Sequence, residues 1–124
     1  AIDSTNWIYT LVEESARFPG GLDSWGSYLL ENLQYPATAK KLGIEGRVFV
    51  QFIVEKDGSI SDAKVVKGIG GGCDIEAQRV IQETPNWIPG RNRGKLVRQK
   101  MIQMVAFNLR KLEKEKRRSK KINN

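Results

Sequence analysis

The apolar positions change period along the chain, and each change marks an element. Over 46–55, GRVFVQFIVE, the residues Val48, Val50, Phe52 and Val54 fall on one face of an extended chain. Arg47, Phe49, Gln51, Ile53 and Glu55 fall on the other. Lys56-Asp57-Gly58-Ser59 follows, and Asp-Gly accepts the positive φ angles of a tight hairpin turn. The return strand spans 60–67, where Ile60, Ala63, Val65 and Val66 break strict alternation and so predict a bulge. A long last strand is predicted over 96–109, LVRQKMIQMVAFNL, with Val105, Phe107 and Leu109 as its inward set.

Helical spacing appears between these strands. Leu22, Trp25, Leu29 and Leu33 recur on one stripe, predicting a helix over 22–33 started by Asp23 or Ser24. Pro36 suits a first helical turn, and 36–42 reads as a short helix closed by Gly43 in a left-handed cap. After the GIGGG link at 68–72, a helix over 74–84 is expected. Asp74 is its cap, Ala77, Val80 and Ile81 face inward, Glu76 and Arg79 face outward, and Pro85 ends it. Residues 6–13, NWIYTLVE, read as a short strand broken by FPGG at 18–21. Trp87-Ile88-Pro89-Gly90 reads as a turn with a buried anchor. The predicted class is α+β: a small antiparallel sheet of about three strands, with two or three helices on one face.

At 124 residues the chain suits a single small domain. Three regions are expected: a lead segment at 1–21 offering an extra strand, a folded domain at 22–109, and a basic tail at 110–124. The net charge of +7 belongs mostly to that tail, RKLEKEKRRSKKINN, which holds eight Lys/Arg against two Glu. The sequence starts with Ala and shows no signal peptide or apolar run of membrane-spanning length, so any anchor is expected upstream.

Candidate chemistry is sparse. With no His and one Cys, the chain lacks the usual general base and the ligands of a structural zinc site. Cys73 reads as a packed thiol rather than a reactive one. The glycines at 68–72 match neither a P-loop nor a dinucleotide fingerprint. Asp57, Asp62 and Asp74 are explained by turns and caps. No cofactor, metal or enzymatic activity is expected. Trp25, Trp87, Phe52 and Phe107 are expected in the core, whereas Phe49 and Ile53 lie on the opposite sheet face. The remaining asset is backbone: a long edge strand can take an extended peptide, or can be closed by residues 6–13 or by a second copy.

Several stretches together carry a family resemblance. FPGG at 18–21, YLLENLQYP at 28–36 and GIEG at 43–46 resemble the C-terminal domain of TonB proteins. So do VFVQFIVEKDGSI at 48–60, EAQRV at 76–80, PNWIPG at 85–90 and the closing Phe107-x-Leu109. FPGG and the W-x-P-G loop resemble the Bacteroidota branch. The resemblance covers residues 12–109.

This resemblance implies the periplasmic end of an inner-membrane-anchored energy transducer. It implies binding to the TonB box of outer-membrane transporters by strand addition, and coupling of proton motive force to uptake. By position, the peptide-binding edge is Leu96, Val97, Arg98, Gln99, Lys100, Met101, Ile102, Gln103, Met104, Val105, Ala106 and Phe107, and receptor contact falls on Asn32, Leu33, Gln34 and Tyr35. The implied partners are TonB-dependent outer-membrane transporters and, through the upstream region, inner-membrane proton-driven motor proteins. A homodimer through the same edge is a further expected partner; nucleic acid is not. The alternative reading is a regulatory or sensor-associated module not coupled to transport. Two departures stand out: Lys100-Met101-Ile102-Gln103-Met104 in the last strand, and the basic tail.

Overall fold

The computed structural model describes residues 6–122. The elements in order are β1 (Ile8–Tyr9), α1 (Gly21–Asn32), α2 (Ala37–Leu42), β2 (Gly46–Val54), β3 (Ile60–Lys67), α3 (Cys73–Gln82), β4 (Gly90–Asn92), β5 (Lys95–Phe107) and α4 (Leu109–Ile122). The five strands form one sheet in the order β1-β5-β2-β3, with β4 also paired to β5.

The hairpin β2–β3 is antiparallel, and its register slips between Phe49 and Val50 and again between Gln51 and Ile53. Those slips are the bulges expected from the broken alternation; Asp62 sits in one at φ 51°. At the tip, Gly58 has φ 87° and accepts a hydrogen bond from the Trp87 amide at 2.8 Å. A Cβ at Gly58 would stand 2.1 Å from the Trp87 carbonyl oxygen. Glycine is therefore required twice here, by dihedral and by space.

The sheet differs from the expected three antiparallel strands in two ways. Only Ile8 and Tyr9 of the lead segment form a strand, and it runs parallel to β5. The start of the last strand folds back on β4 as a tight hairpin, with Arg93 at φ 51° and Gly94 at φ 74°. Two successive positive φ values mark a type I′ turn, which suits the sheet's twist. The strand also ends at Phe107: Leu109 opens α4 instead of continuing the inward alternation. The Asn108 side chain explains the switch, since its Oδ1 accepts the Lys111 amide at 3.0 Å as a helix cap.

Val48, Val50, Phe52 and Val54 of β2 join Val105 and Phe107 of β5 in one buried cluster with α1, α2 and α3. Trp25, Trp87, Phe52 and Phe107 are all within it, as the sequence predicts. Phe18 stands 5.1 Å from Trp25 and 5.6 Å from Trp87, ring centre to ring centre, both edge to face. Leu22, expected on the inward stripe, is instead 86% exposed, while Phe18 packs against Trp25. Cys73 is fully buried, and burial raises its thiol pKa.

The expected helix caps are also corrected. α1 starts from Gly20 and α3 from Gly72, both left-handed and both without a side-chain cap. Asp74 instead turns back, accepting the Ile69 amide at 2.8 Å and the Gly70 amide at 3.2 Å, and so holds the glycine link. Gly43 caps α2 at φ 68°, as expected.

The expected outward pair Glu76 and Arg79 is overturned. Glu76 is buried and accepts the Gln34 amide at 2.6 Å. Arg79 donates to both Glu76 oxygens at 2.7 Å and to the Asn32 carbonyl at 2.7 Å. The cause is the free backbone at the end of α1: the Asn32 carbonyl and the Gln34 amide need partners, and α3 supplies them. Among the described residues no helix is long and apolar enough to cross a membrane.

Candidate functional site

The twelve positions proposed along the last strand do not share one environment. Leu96 and Val97 pair with Arg91 and Gly90 of β4. Arg98 and Gln99 pair with Ile8 and Tyr9 of β1, on the edge opposite β2. From Lys100 to Phe107, β5 pairs with β2 alone among the described strands. In an antiparallel pair every second residue turns its N–H and C=O away from the partner. The second edge of 100–107 therefore presents a row of backbone donors and acceptors.

Side chains alternate beside that edge. Lys100, Ile102, Met104 and Ala106 lie opposite Ile53, Gln51, Phe49 and Arg47 of β2, on the face away from the helices. Ile102 is 57% exposed and Met104 is also exposed, whereas Ile53 is buried. Met101, Gln103, Val105 and Phe107 alternate toward the helix side, opposite Phe52, Val50, Val48 and Gly46. Ile102 and Met104 thus place two apolar side chains on an open face.

Covered positions are fixed by polar contacts. Arg98 Nε donates to Glu55 Oε1 at 2.7 Å, and Arg98 Nη1 donates to the Asn6 carbonyl at 2.9 Å. The Arg98 bond, then that from Ser61, holds the Glu55 carboxyl below its ordinary pKa, and Glu55 raises that of Arg98. Gln99 is buried, with its Oε1 accepting the Ala16 amide at 2.7 Å. Beyond β1 the lead segment bridges Glu14 to Arg91 and Arg17 to Ile88. The lead segment is thus tied to the first half of β5 and leaves the second half open.

The second predicted region divides as well. Asn32 and Gln34 are exposed, while Leu33 and Tyr35 are buried. Tyr35 stacks edge to face on Phe107 at 5.6 Å and donates its hydroxyl to the Ile44 carbonyl. Burial raises its pKa. Leu33 and Ala106 line one shallow cavity of about 170 Å³, with Gly26, Leu29 and Leu30. The end of α1 and the end of β5, far apart in sequence, therefore meet. At the other end of the open edge, Thr10, Gln51, Gln99, Lys100, Met101 and Ile102 line a cleft of about 410 Å³. A larger depression, about 630 Å³, lies at the covered end and includes Tyr9, Glu13, Lys56, Arg93 and Lys95.

Sequence reasoning missed the β4 hairpin, the parallel β1 pairing, the buried amide of Gln99 and the Glu76–Arg79 tie. The Asn92-Arg93-Gly94 turn was visible as a hairpin signal. The other three depend on which backbone groups lack a partner in three dimensions, and no local pattern encodes that.

The family described as "Gram-negative bacterial TonB protein C-terminal" matches residues 31–109. Among solved structures, the solution structure of Helicobacter pylori TonB-CTD, residues 194–285, is 27% identical, with a TM-score of 0.53, covering 71% of this chain and 92% of that one. A longer form of the same domain, residues 179–285, is 25% identical with a TM-score of 0.46, covering 73% and 87% respectively. No curated protein sequence matches the chain. The matched region contains β2, β3, α3, β4 and β5, and with them the whole open edge, so the chain belongs to the TonB C-terminal domain family.

Proposed function

We propose that this domain is the periplasmic end of a TonB-type energy transducer, and that it captures the TonB box of an outer-membrane transporter as an added strand on residues 100–107. The single observation that carries this reading is the split of β5: its first five residues have partners on β4 and β1, and its remainder pairs with β2 alone. Family membership supplies the transducer context.

The chemistry fits a coupler better than a catalyst. A peptide laid along the edge forms backbone hydrogen bonds, each contributing about 1 kcal/mol net. Such bonds read the extended conformation and tolerate varied side chains. Ile102 and Met104 on the open face and Leu29, Leu30 and Leu33 at the end of α1 offer apolar contact to alternate peptide side chains. Proton-driven motor proteins of the inner membrane would act through the region upstream of residue 1.

Titration of nitrogen-15-labelled domain with TonB-box peptides tests the reading. Amide shifts concentrated in 100–107 and at Asn32 and Gln34 are expected. A proline placed mid-peptide, which removes a ladder donor, is expected to abolish them. Saturating peptide with no shift along 100–107 overturns strand addition.

A further inference from the structure

The family match ends at residue 109, and α4 begins at Leu109. Nothing in the TonB reading therefore accounts for this helix. Its start is well defined: Asn108 caps it, and the Leu109 amide donates to Glu45 Oε1 at 3.3 Å. Leu109 packs against the core, which fixes the inward side of the first turn. Successive helical residues are about 100° apart, so Arg110, Lys111, Lys114, Arg117 and Arg118 fall within an arc of about 120° turned away from Leu109. All five are exposed, and no acidic residue falls inside the arc. The stripe is about 12 Å long from Arg110 to Arg118.

We infer that this stripe is a docking surface for an anionic lipid bilayer, with α4 lying along the surface and the rest of the domain held beside it. The inference does not depend on peptide capture. A band of five cations within one arc of about 120° on a helical rod can face a flat sheet of negative headgroups together, and each cation near such a surface adds attraction. Single-stranded nucleic acid is the weaker fit. That mode needs aromatic platforms, and among the described residues the exposed large aromatic is Trp7, beside β1 and not on α4. Lys111 also lines the shallow cavity at the end of the open edge, with Leu33 and Ala106, whereas Lys114, Arg117 and Arg118 lie farther along α4.

The full 124-residue chain would be co-sedimented with vesicles of phosphatidylcholine alone, and with vesicles that also contain phosphatidylglycerol. Binding to the second kind only is expected, and it is expected to vanish when salt shortens the screening length to about 3 Å. Replacing Lys114, Arg117 and Arg118 by Gln is expected to weaken partitioning about a hundredfold, at about fivefold for each cation. The exchange Glu113→Lys with Lys114→Glu keeps net charge but puts an acid in the stripe, and a clear loss of binding is expected. Equal binding by that exchange variant, equal binding to both vesicle types, or no binding to anionic vesicles overturns the inference. Tighter binding to single-stranded oligonucleotide than to anionic vesicles at the same salt overturns the choice of partner. Denaturation midpoints of the variants should match that of the parent, because the replaced side chains are exposed.

Discussion

The side chain of Gln99 reaches the backbone of Ala16 across 83 residues of sequence, its Oε1 accepting the Ala16 amide at 2.7 Å with both residues buried. One amide group thus ties the lead segment to β5 just before the edge opens at Lys100. The same oxygen stands 2.7 Å from where a Cβ on Gly90 would lie, so Gly90 is glycine to leave room for it.

Gln99→Leu should strand the Ala16 amide without an acceptor and lower stability by about 1–3 kcal/mol. Gly90→Ala should act on the same contact by displacing the oxygen. Urea denaturation would measure both, and their double variant should lose less than the sum of the two, since they disrupt one bond.

The hairpin tip is the most sensitive glycine. At Gly58 an alanine adds positive-φ strain and a backbone clash with the Trp87 carbonyl. A loss of about 2–4 kcal/mol is expected for Gly58→Ala, and it should appear as a lower thermal midpoint. Gly70, also at positive φ but with open space around it, should lose only about 1 kcal/mol on the same change.

Glu76→Ala removes the acceptor for Arg79 and for the Gln34 amide together. Because the Arg79 side chain is 35% exposed, the expected loss is about 2–3 kcal/mol, below the range for fully buried pairs. Amide spectra should show the disturbance in 32–35 as well as in α3. A change confined to α3 would argue against the tie described here.

The Glu55–Arg98 pair gives a pH dependence of known sign. The folded state holds the Glu55 carboxyl below its ordinary value of 4.5, chiefly through the Arg98 hydrogen bond. The unfolded chain therefore takes up this proton first as pH falls. Stability from this group is full above pH 4.5 and is lost as pH drops through the folded-state value. Glu55→Gln should flatten that part of the stability curve, read by denaturation at a series of acid pH values. The same variant should loosen β1, because Arg98 also holds the Asn6 carbonyl.

On the open face, Ile102→Ala should leave stability within about 0.5 kcal/mol, since the side chain is mostly exposed. Under strand addition it should still weaken TonB-box peptide binding severalfold. Unchanged affinity would exclude Ile102 from the peptide's footprint.

Much of the fold was legible because its signals are local. Alternation from Val48 to Val54, the Asp57-Gly58 turn, the Gly43 cap and the inward set Ala77, Val80 and Ile81 each depend on neighbours a few residues away. The site was half legible. Extended character over 96–107 is plain in the sequence, but which part of that strand stays open depends on where residues 8–17 and 88–92 lie in space. Glu76 was misread for the same reason. A charged residue on a short helix is ordinarily solvated, and its burial is compelled only by the unpaired backbone at Asn32 and Gln34.

Parallel pairing of β1 with β5 has a mechanical consequence. Residue 6 enters beside the start of β5, and the open stretch lies farther along the same strand in the same direction. Under the proposed strand addition at 100–107, tension applied at residue 6 would be directed along the strand axis. Hydrogen bonds loaded in that shear geometry resist together, whereas a load across the strands would unzip them one at a time. In the proposed complex the helical layer would lie outside that line of force, and the load would pass from β1 to β5 without crossing it.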